Sequence, residues 1–144
     1  VPQGNIYEQL IARYFICSPT MMFRRGVIES LGGYDEDLAY EDFDFWIRSS
    51  RNFSYCYTPE VMVKKRVVKH SMSRRQFTFF SPQLKSTFRV CEKIMALNRS
   101  RAEQKALGQR ILYEMRIALR LLELSLVIKY VRLYIRNSRL RYFR

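Results

Sequence analysis

Hydrophobic and polar residues follow two different patterns along this chain of 144 residues. After Pro82 the apolar residues recur every three or four positions, which predicts helices over residues 84–96 and about 101–136. Residues 98–100 predict a break between these helices, and Gly108 is a candidate for a second break. The longer segment carries two apolar stripes, so we expect it to pack against two neighbours.

Before Pro82 the pattern changes over shorter distances and predicts both helices and strands. The acidic start and basic end of residues 40–50 are typical of a helix. Gly32-Gly33 predicts the left-handed conformation that commonly ends a helix. The predicted helices cover residues 5–13, 26–31 and 40–50, and the predicted strands cover residues 14–25, 53–57 and 61–68. We therefore expect an α/β protein, α+β in this stretch, with residues 1–81 as one part and residues 82–144 as a helical tail.

Composition narrows the class of protein. The chain is 48% hydrophobic and 15% aromatic, which excludes a disordered chain. Its three cysteines, Cys17, Cys56 and Cys91, are odd in number and widely spaced, which argues against a disulfide scaffold and favours a reducing compartment. No run of uncharged residues has the length of a membrane span, and the first residues do not resemble a signal peptide.

The net charge of +13 is unevenly distributed. Residues 1–83 hold 11 basic and 9 acidic side chains, a difference of +2, whereas residues 84–144 hold 15 basic and 4 acidic, a difference of +11. The tail therefore carries most of the charge.

An acidic cluster stands out in the nearly neutral first part. Six acids lie within ten residues beside Trp46, and they are Asp35, Glu36, Asp37, Glu41, Asp42 and Asp44. One interpretation is structural, because acids near a helix N-terminus cap it and complement its dipole. The other is that this density of carboxylates serves a chemical function.

The order of residues favours the second interpretation. Gly-Gly-Tyr-Asp-Glu at 32–36, followed by Glu-Asp-Phe-Asp-Phe-Trp-Ile-Arg at 41–48, resembles the acceptor-side motif of family 2 glycosyltransferases. Residues 21–25 resemble the strand before that motif, and residues 65–73 resemble the segment after it. The resemblance spans roughly residues 4–76 and implies the C-terminal part of a GT-A fold, an α/β architecture.

The resemblance implies an inverting sugar transfer from a nucleotide-sugar to an acceptor hydroxyl in cell-surface glycan synthesis. Asp42 matches the general base, which must lie within hydrogen-bond reach of the attacking oxygen. Glu41, Asp44 and Trp46 are the predicted acceptor-binding residues. For Trp46 the alternative is a core anchor, and for Asp44 it is an ion pair with Arg48 four residues later.

The donor side of the predicted site is basic. The resemblance assigns the donor diphosphate to Arg66, His70, Arg74 and Arg75, since arginine forms charge-assisted hydrogen bonds with phosphate. His70, the only histidine, is also the candidate metal ligand. The alternative for a lone histidine is a surface or packed residue, and the alternative for a basic run is a solvated face.

Two expected parts of a complete GT-A enzyme are not recognisable in this sequence: the nucleotide-binding half and its metal-binding Asp-x-Asp motif. We therefore expect the chain to be part of a longer enzyme, inactive by itself, whose complete form uses a divalent metal, Mg²⁺ or Mn²⁺. Nucleotide-sugar and a glycan or lipid-linked acceptor are the substrates that the resemblance implies.

The basic tail predicts a location or an assembly. Residues 129–144 interleave arginines with Tyr130, Leu133, Tyr134, Ile135, Tyr142 and Phe143. This pattern suits an anionic membrane surface, and we expect a cytoplasmic protein peripheral to the inner face of the cell membrane. The alternative function is a non-catalytic basic helical module that binds nucleic acid or forms a homo-oligomer; the first part lacks a nucleic-acid motif, which makes nucleic acid the weaker interpretation.

Overall fold

The computed structural model describes residues 1–66, 78 and 81–143, the last three by their backbone alone. Six α-helices form the architecture of these residues, and a 3-10 turn at Ser18–Thr20 lies between the first two. The helices are α1 Tyr7–Ala12, α2 Arg25–Ser30, α3 Glu41–Asn52, α4 Pro82–Leu97, α5 Arg101–Arg120 and α6 Leu124–Phe143.

The predicted α/β fold is wrong for the described residues, which contain helices and no strand. The runs at 14–25 and 53–57, and residues 61–66 of the predicted strand at 61–68, follow an irregular or 3-10 path, apart from the start of α2 at Arg25. Residues 67 and 68 lie outside the described residues. One antiparallel bridge joins Gly4 to Tyr55, with N–H to O distances between the two backbones of 2.7 and 2.9 Å. A short apolar run forms a strand only when another strand pairs with it, and these runs lack such a partner within the described residues. Because a GT-A fold is built around a β-sheet, the predicted GT-A architecture is also wrong for the described residues.

The three helices of the first part lie close to their predicted positions. α1, α2 and α3 confirm the predicted helices near residues 5–13, 26–31 and 40–50. Glu41 and Asp42 lie in the first turn of α3 and Arg51 in its last, in favour of the helix dipole. Gly32 and Gly33 have φ values of +70° and +80°, the left-handed conformation expected after α2.

The helical tail has one of its two breaks at a different position from the predicted one. α4 and the 98–100 break are as expected, and Ser100 with Glu103 forms a capping box at the start of α5. However, α5 runs through Gly108, and the second break comes at residues 121–123. α6 then packs against α5, so the single long helix becomes a hairpin.

One hydrophobic core joins the helices, and it draws on both sides of residue 81. Ion pairs and hydrogen bonds also join different helices around this core. Arg51 of α3 donates to Glu103 of α5 at 2.5 Å, and Asn137 of α6 donates to the Gln104 carbonyl of α5 at 2.9 Å. No helix among the described residues combines the length and the apolar character that crossing a bilayer requires.

Candidate functional site

A cavity of about 350 Å³ opens at the N-terminal end of α3. The start of α3, the 3-10 turn and the start of α4 surround it. Its lining includes Tyr14, Ser18, Tyr40, Glu41, Asp42, Lys65 and Gln83. Two of the predicted site residues, Glu41 and Asp42, therefore line the same open space.

Two hydroxyl groups orient the Asp42 carboxylate. The Ser18 hydroxyl donates a short hydrogen bond to Oδ2, and the Tyr14 hydroxyl lies 3.4 Å from the same oxygen. Burial raises the pKa of Tyr14, and the charge of Asp42 raises it further, so the phenol stays protonated and remains a donor. Oδ1 accepts from the Phe43 backbone N–H at 2.8 Å. The carboxylate is partly exposed and has a fixed orientation at the cavity wall.

A side chain that caps a helix accepts a hydrogen bond from a free backbone N–H at its N-terminus, so the start of α3 tests the capping interpretation. The N-cap residue of α3 is Tyr40, and no side chain makes a capping hydrogen bond there. Glu41 and Asp42 follow the cap and still favour the helix dipole. Their side chains face the cavity that they line, which leaves the chemical interpretation open.

Asp44 lies elsewhere, although it follows Asp42 by two positions. It is 0% exposed and pairs with Arg48 at 2.7 Å and with Lys93 at 2.8 Å. The predicted pairing with Arg48 is confirmed. Asp44 is not among the residues that line the cavity.

The ion pairs of Asp44 extend into a network that holds the glycine turn. Arg48 donates to the carbonyl oxygens of Leu31 and Gly33, each at 2.8 Å. Lys93 also binds Asp35 at 2.5 Å. Burial lowers the pKa of Lys93, but its hydrogen bonds to the two carboxylates outweigh this effect and raise it. The network joins the turn after α2 to α3 and α4.

Trp46 is 1% exposed and lies in the core. Its ring packs against Phe45 at a centroid distance of 5.1 Å and against Phe23 at 5.8 Å. The core-anchor alternative describes this placement, and the indole does not line the cavity. The aromatic rings at the cavity are those of Tyr14 and Tyr40, which lie edge to face at 5.5 Å.

The predicted donor-side residues divide into two groups. Arg66 is exposed and is not part of the cavity lining, whereas its neighbour Lys65 is part of it. His70, Arg74 and Arg75 lie outside the described residues, so their contacts with a diphosphate stay predictions.

A second cavity, of about 160 Å³, adjoins the first, because Tyr14, Tyr40 and Gln83 line both. Its far wall holds a buried ion pair, Arg110 with Glu114, at 3.0 Å. Burial raises the pKa of Glu114, although the Arg110 charge lowers it. In the sequence this pair is marked only by a basic and an acidic residue four positions apart on an otherwise apolar helix face.

Arg110 lines the second cavity and also contacts residues of the core. Its Nε donates to the Ile11 carbonyl at 3.1 Å, and its guanidinium lies 4.9 Å from the centre of the Phe43 ring. Its Nη2 is buried without a hydrogen-bond partner among the described residues.

The residues at the first cavity can be tested against a divalent metal site. The described part of the chain holds no group of three or more acidic, histidine or cysteine side chains that could bind a metal ion. Glu41 and Asp42 are the two acids of the cavity. Two carboxylates do not form a complete protein site for a resident metal, although Mg²⁺ is commonly held by one or two carboxylates together with substrate phosphates.

Comparison with protein-family models, with curated proteins and with solved structures finds no match for this chain. The resemblance to family 2 glycosyltransferases therefore rests on the residues of the motif.

Proposed function

We propose that this chain is the acceptor-side part of an inverting glycosyltransferase of the family 2 type, with Asp42 as general base. The complete enzyme would move a sugar from a nucleotide-sugar to a hydroxyl group of a growing glycan or lipid-linked acceptor. The observation that carries the proposal is the Asp42 carboxylate, oriented by Ser18 and Tyr14 at the wall of a 350 Å³ cavity. Ligand sites of small molecules commonly begin at about 300 Å³.

The proposed step is a single displacement. The acceptor oxygen forms a bond to the anomeric carbon while its proton passes to Asp42. The bond between that carbon and the phosphate oxygen breaks, and the nucleoside diphosphate leaves with the electron pair. Attack from the opposite side inverts the anomeric configuration.

The acceptor is held by the residues around Asp42. The Tyr14 and Tyr40 rings offer apolar faces, and Glu41 and Gln83 offer hydrogen-bonding groups. These four take the acceptor-binding role that the motif alone assigns to Trp46 and Asp44, whose side chains lie in the core and in an ion-pair network.

The donor diphosphate belongs on the Lys65 side of the cavity, where a cation is already present. Arg66 and His70 follow it in the sequence. A divalent metal, when bound in the complete enzyme, would stabilise the leaving diphosphate.

A cytoplasmic location is part of the same proposal. Cys17, Cys56 and Cys91 are all free, which is typical of a reducing compartment.

The test uses the complete product of the gene that encodes this chain. It is incubated with a panel of nucleotide-sugars and oligosaccharide acceptors, and the product is examined by NMR for its anomeric configuration. We expect nucleoside diphosphate release together with a product of inverted configuration. A retained configuration would contradict a general base at Asp42, and a folded protein that transfers no sugar from any donor would contradict the class.

A further inference from the structure

Helix α6 has an unusual arrangement of its sides. One side packs on α5 and the core through Leu126, Tyr130, Leu133 and Asn137. At about 100° per residue these four positions form one stripe along the helix. A surface helix usually turns polar residues outward on the opposite side.

On α6 the opposite side is apolar. Four large side chains there are between 41% and 60% exposed, and they are Leu124, Ile128, Val131 and Ile135. Their spacing of four, three and four residues places them within about 60° of one another around the helix. They form an outward apolar stripe, the outer stripe, that no described part of the chain covers.

The end of α5 and the turn before α6 hold two further exposed leucines. Leu119 is exposed at the end of α5, and Leu122 is 72% exposed at the turn itself. Leu122 has a φ of +53°, a conformation that glycine or asparagine adopts more readily than leucine. Burial in the core does not account for a leucine in this conformation, because most of its side chain is exposed.

Cations flank the outer stripe along one side. Lys129, Arg132, Arg136 and Arg139 are exposed, and helical spacing places all four between the outer stripe and the buried side. The sequence of α6 contains no Asp or Glu. A partner for this surface must therefore accept apolar side chains and compensate positive charge.

We propose that the outer stripe and its flanking cations dock on an anionic lipid surface, with α6 lying in the plane of the membrane. The stripe enters the boundary between headgroups and acyl chains, while the cations meet the lipid phosphates. The inference depends on α6 and its turn and does not require the glycosyltransferase proposal. It revises the sequence-based expectation, because Tyr130 and Leu133 are buried and the exposed residues take their place.

Two other partners fit the surface less well. A nucleic acid binds cations at its phosphates, and it gains little from a central stripe of Leu, Ile and Val. A second copy of α6 would bring a second row of cations close to the first with no acid on either helix.

The test measures binding of the chain to vesicles by flotation. One set of vesicles is phosphatidylcholine alone, and another contains about one part phosphatidylglycerol to three parts phosphatidylcholine. The stripe variant is Ile128→Gln with Val131→Gln, and its control is Met22→Gln with Val61→Gln, two exposed apolar positions outside the α5–α6 hairpin. The charge variant is Arg132→Gln with Arg136→Gln, and its control is Lys85→Gln with Arg89→Gln, an exposed pair at the same spacing on α4.

We expect binding to the anionic vesicles only. The charge variant should bind roughly ten- to thirty-fold more weakly, since each cation contributes about five-fold, and the stripe variant should bind at least about ten-fold more weakly. The control at Met22 and Val61 should stay within about two-fold of the original chain, and the control at Lys85 and Arg89 should show only the general loss that follows from its lower net charge.

Leu122→Asn separates a membrane role from a structural one. Because asparagine adopts positive φ more readily, the variant should unfold at the same or a higher temperature and yet bind vesicles more weakly. Several outcomes would overturn the proposal: equal binding by the stripe variant and its control, salt-sensitive binding to random duplex DNA without vesicle binding, or a stable dimer in sedimentation whose contact the stripe variant abolishes.

Discussion

Two sides of helix α3 use the same chemical group differently. Asp42 faces a cavity and is held by neutral hydroxyl groups, whereas Asp44 is fully buried between Arg48 and Lys93. Two positions along a helix turn a side chain to a different side. One motif therefore supplies both a carboxylate at the wall of a cavity and a carboxylate in a buried ion-pair network. The structural interpretation of the cluster describes Asp44, and the chemical interpretation stays a prediction for Asp42.

Asp44→Asn should have the largest effect on stability. The variant leaves Arg48 and Lys93 without their shared carboxylate, and removing one partner of a buried ion pair costs about 3–5 kcal/mol. Lys93 is partly exposed and can turn toward water, so we expect a loss near 3 kcal/mol in the free energy of unfolding, measured with urea. The control Asp37→Asn, at an exposed position, should change it by less than about 0.5 kcal/mol. A loss below about 1 kcal/mol for Asp44→Asn would show that Asp44 does not stabilise the fold, and it would contradict the difference in role between Asp42 and Asp44.

Ser18→Ala should affect the cavity side and spare stability. The variant removes the stronger of the two hydroxyl donors that orient Asp42, so kcat of the complete enzyme should fall about ten-fold with KM little changed. Tyr14→Phe removes the longer contact and should cost less. Equal rates for Ser18→Ala and the original enzyme would show that these hydroxyl groups do not position the base.

The pH dependence of unfolding should report the ion-pair network that Asp44 shares with Lys93 and Asp35. The Lys93 hydrogen bond lowers the pKa of Asp35 from its usual 3.8. A lowered folded pKa means that this contact contributes stability above the usual value and loses it as the pH falls through the folded pKa. Asp35→Asn should therefore reduce the slope of stability against pH below about pH 4. Glu36→Gln, the exposed neighbouring control, should leave that slope unchanged.

Local signals predicted the helices better than the fold. The acidic start of α3, the two glycines after α2 and the apolar spacing of α4 each act within a few residues, so the sequence alone indicates them. Strand pairing depends on distant residues. The run at 53–57 makes a single bridge, between Tyr55 and Gly4, and the run at 14–25 makes none. Gly108 is a candidate for the second break because glycine has a low helix propensity, but α5 is continuous there and the chain turns at Leu122 instead.

The sequence predicts a cavity-lining residue only where that residue belongs to the motif. Asp42 and Glu41 were identified from their order in the sequence and do line the cavity. Ser18, Tyr14 and Gln83 come from other elements and carry no signal of their own, because only the fold brings them beside α3. Trp46 and Asp44 lie in the same motif but turn into the core, which residue type alone does not reveal.

The most direct test of the account is the transfer rate of the complete gene product with Asp42→Asn, compared with Asp37→Asn as the matched control. Asparagine keeps the size of the side chain and the acceptor for Ser18 but takes no proton. We expect kcat to fall by about 10²- to 10⁴-fold while the urea midpoint stays close to that of the original protein, and we expect Asp37→Asn to retain its rate. An Asp42→Asn enzyme that turns over at the original rate would contradict the assignment of Asp42 as the general base.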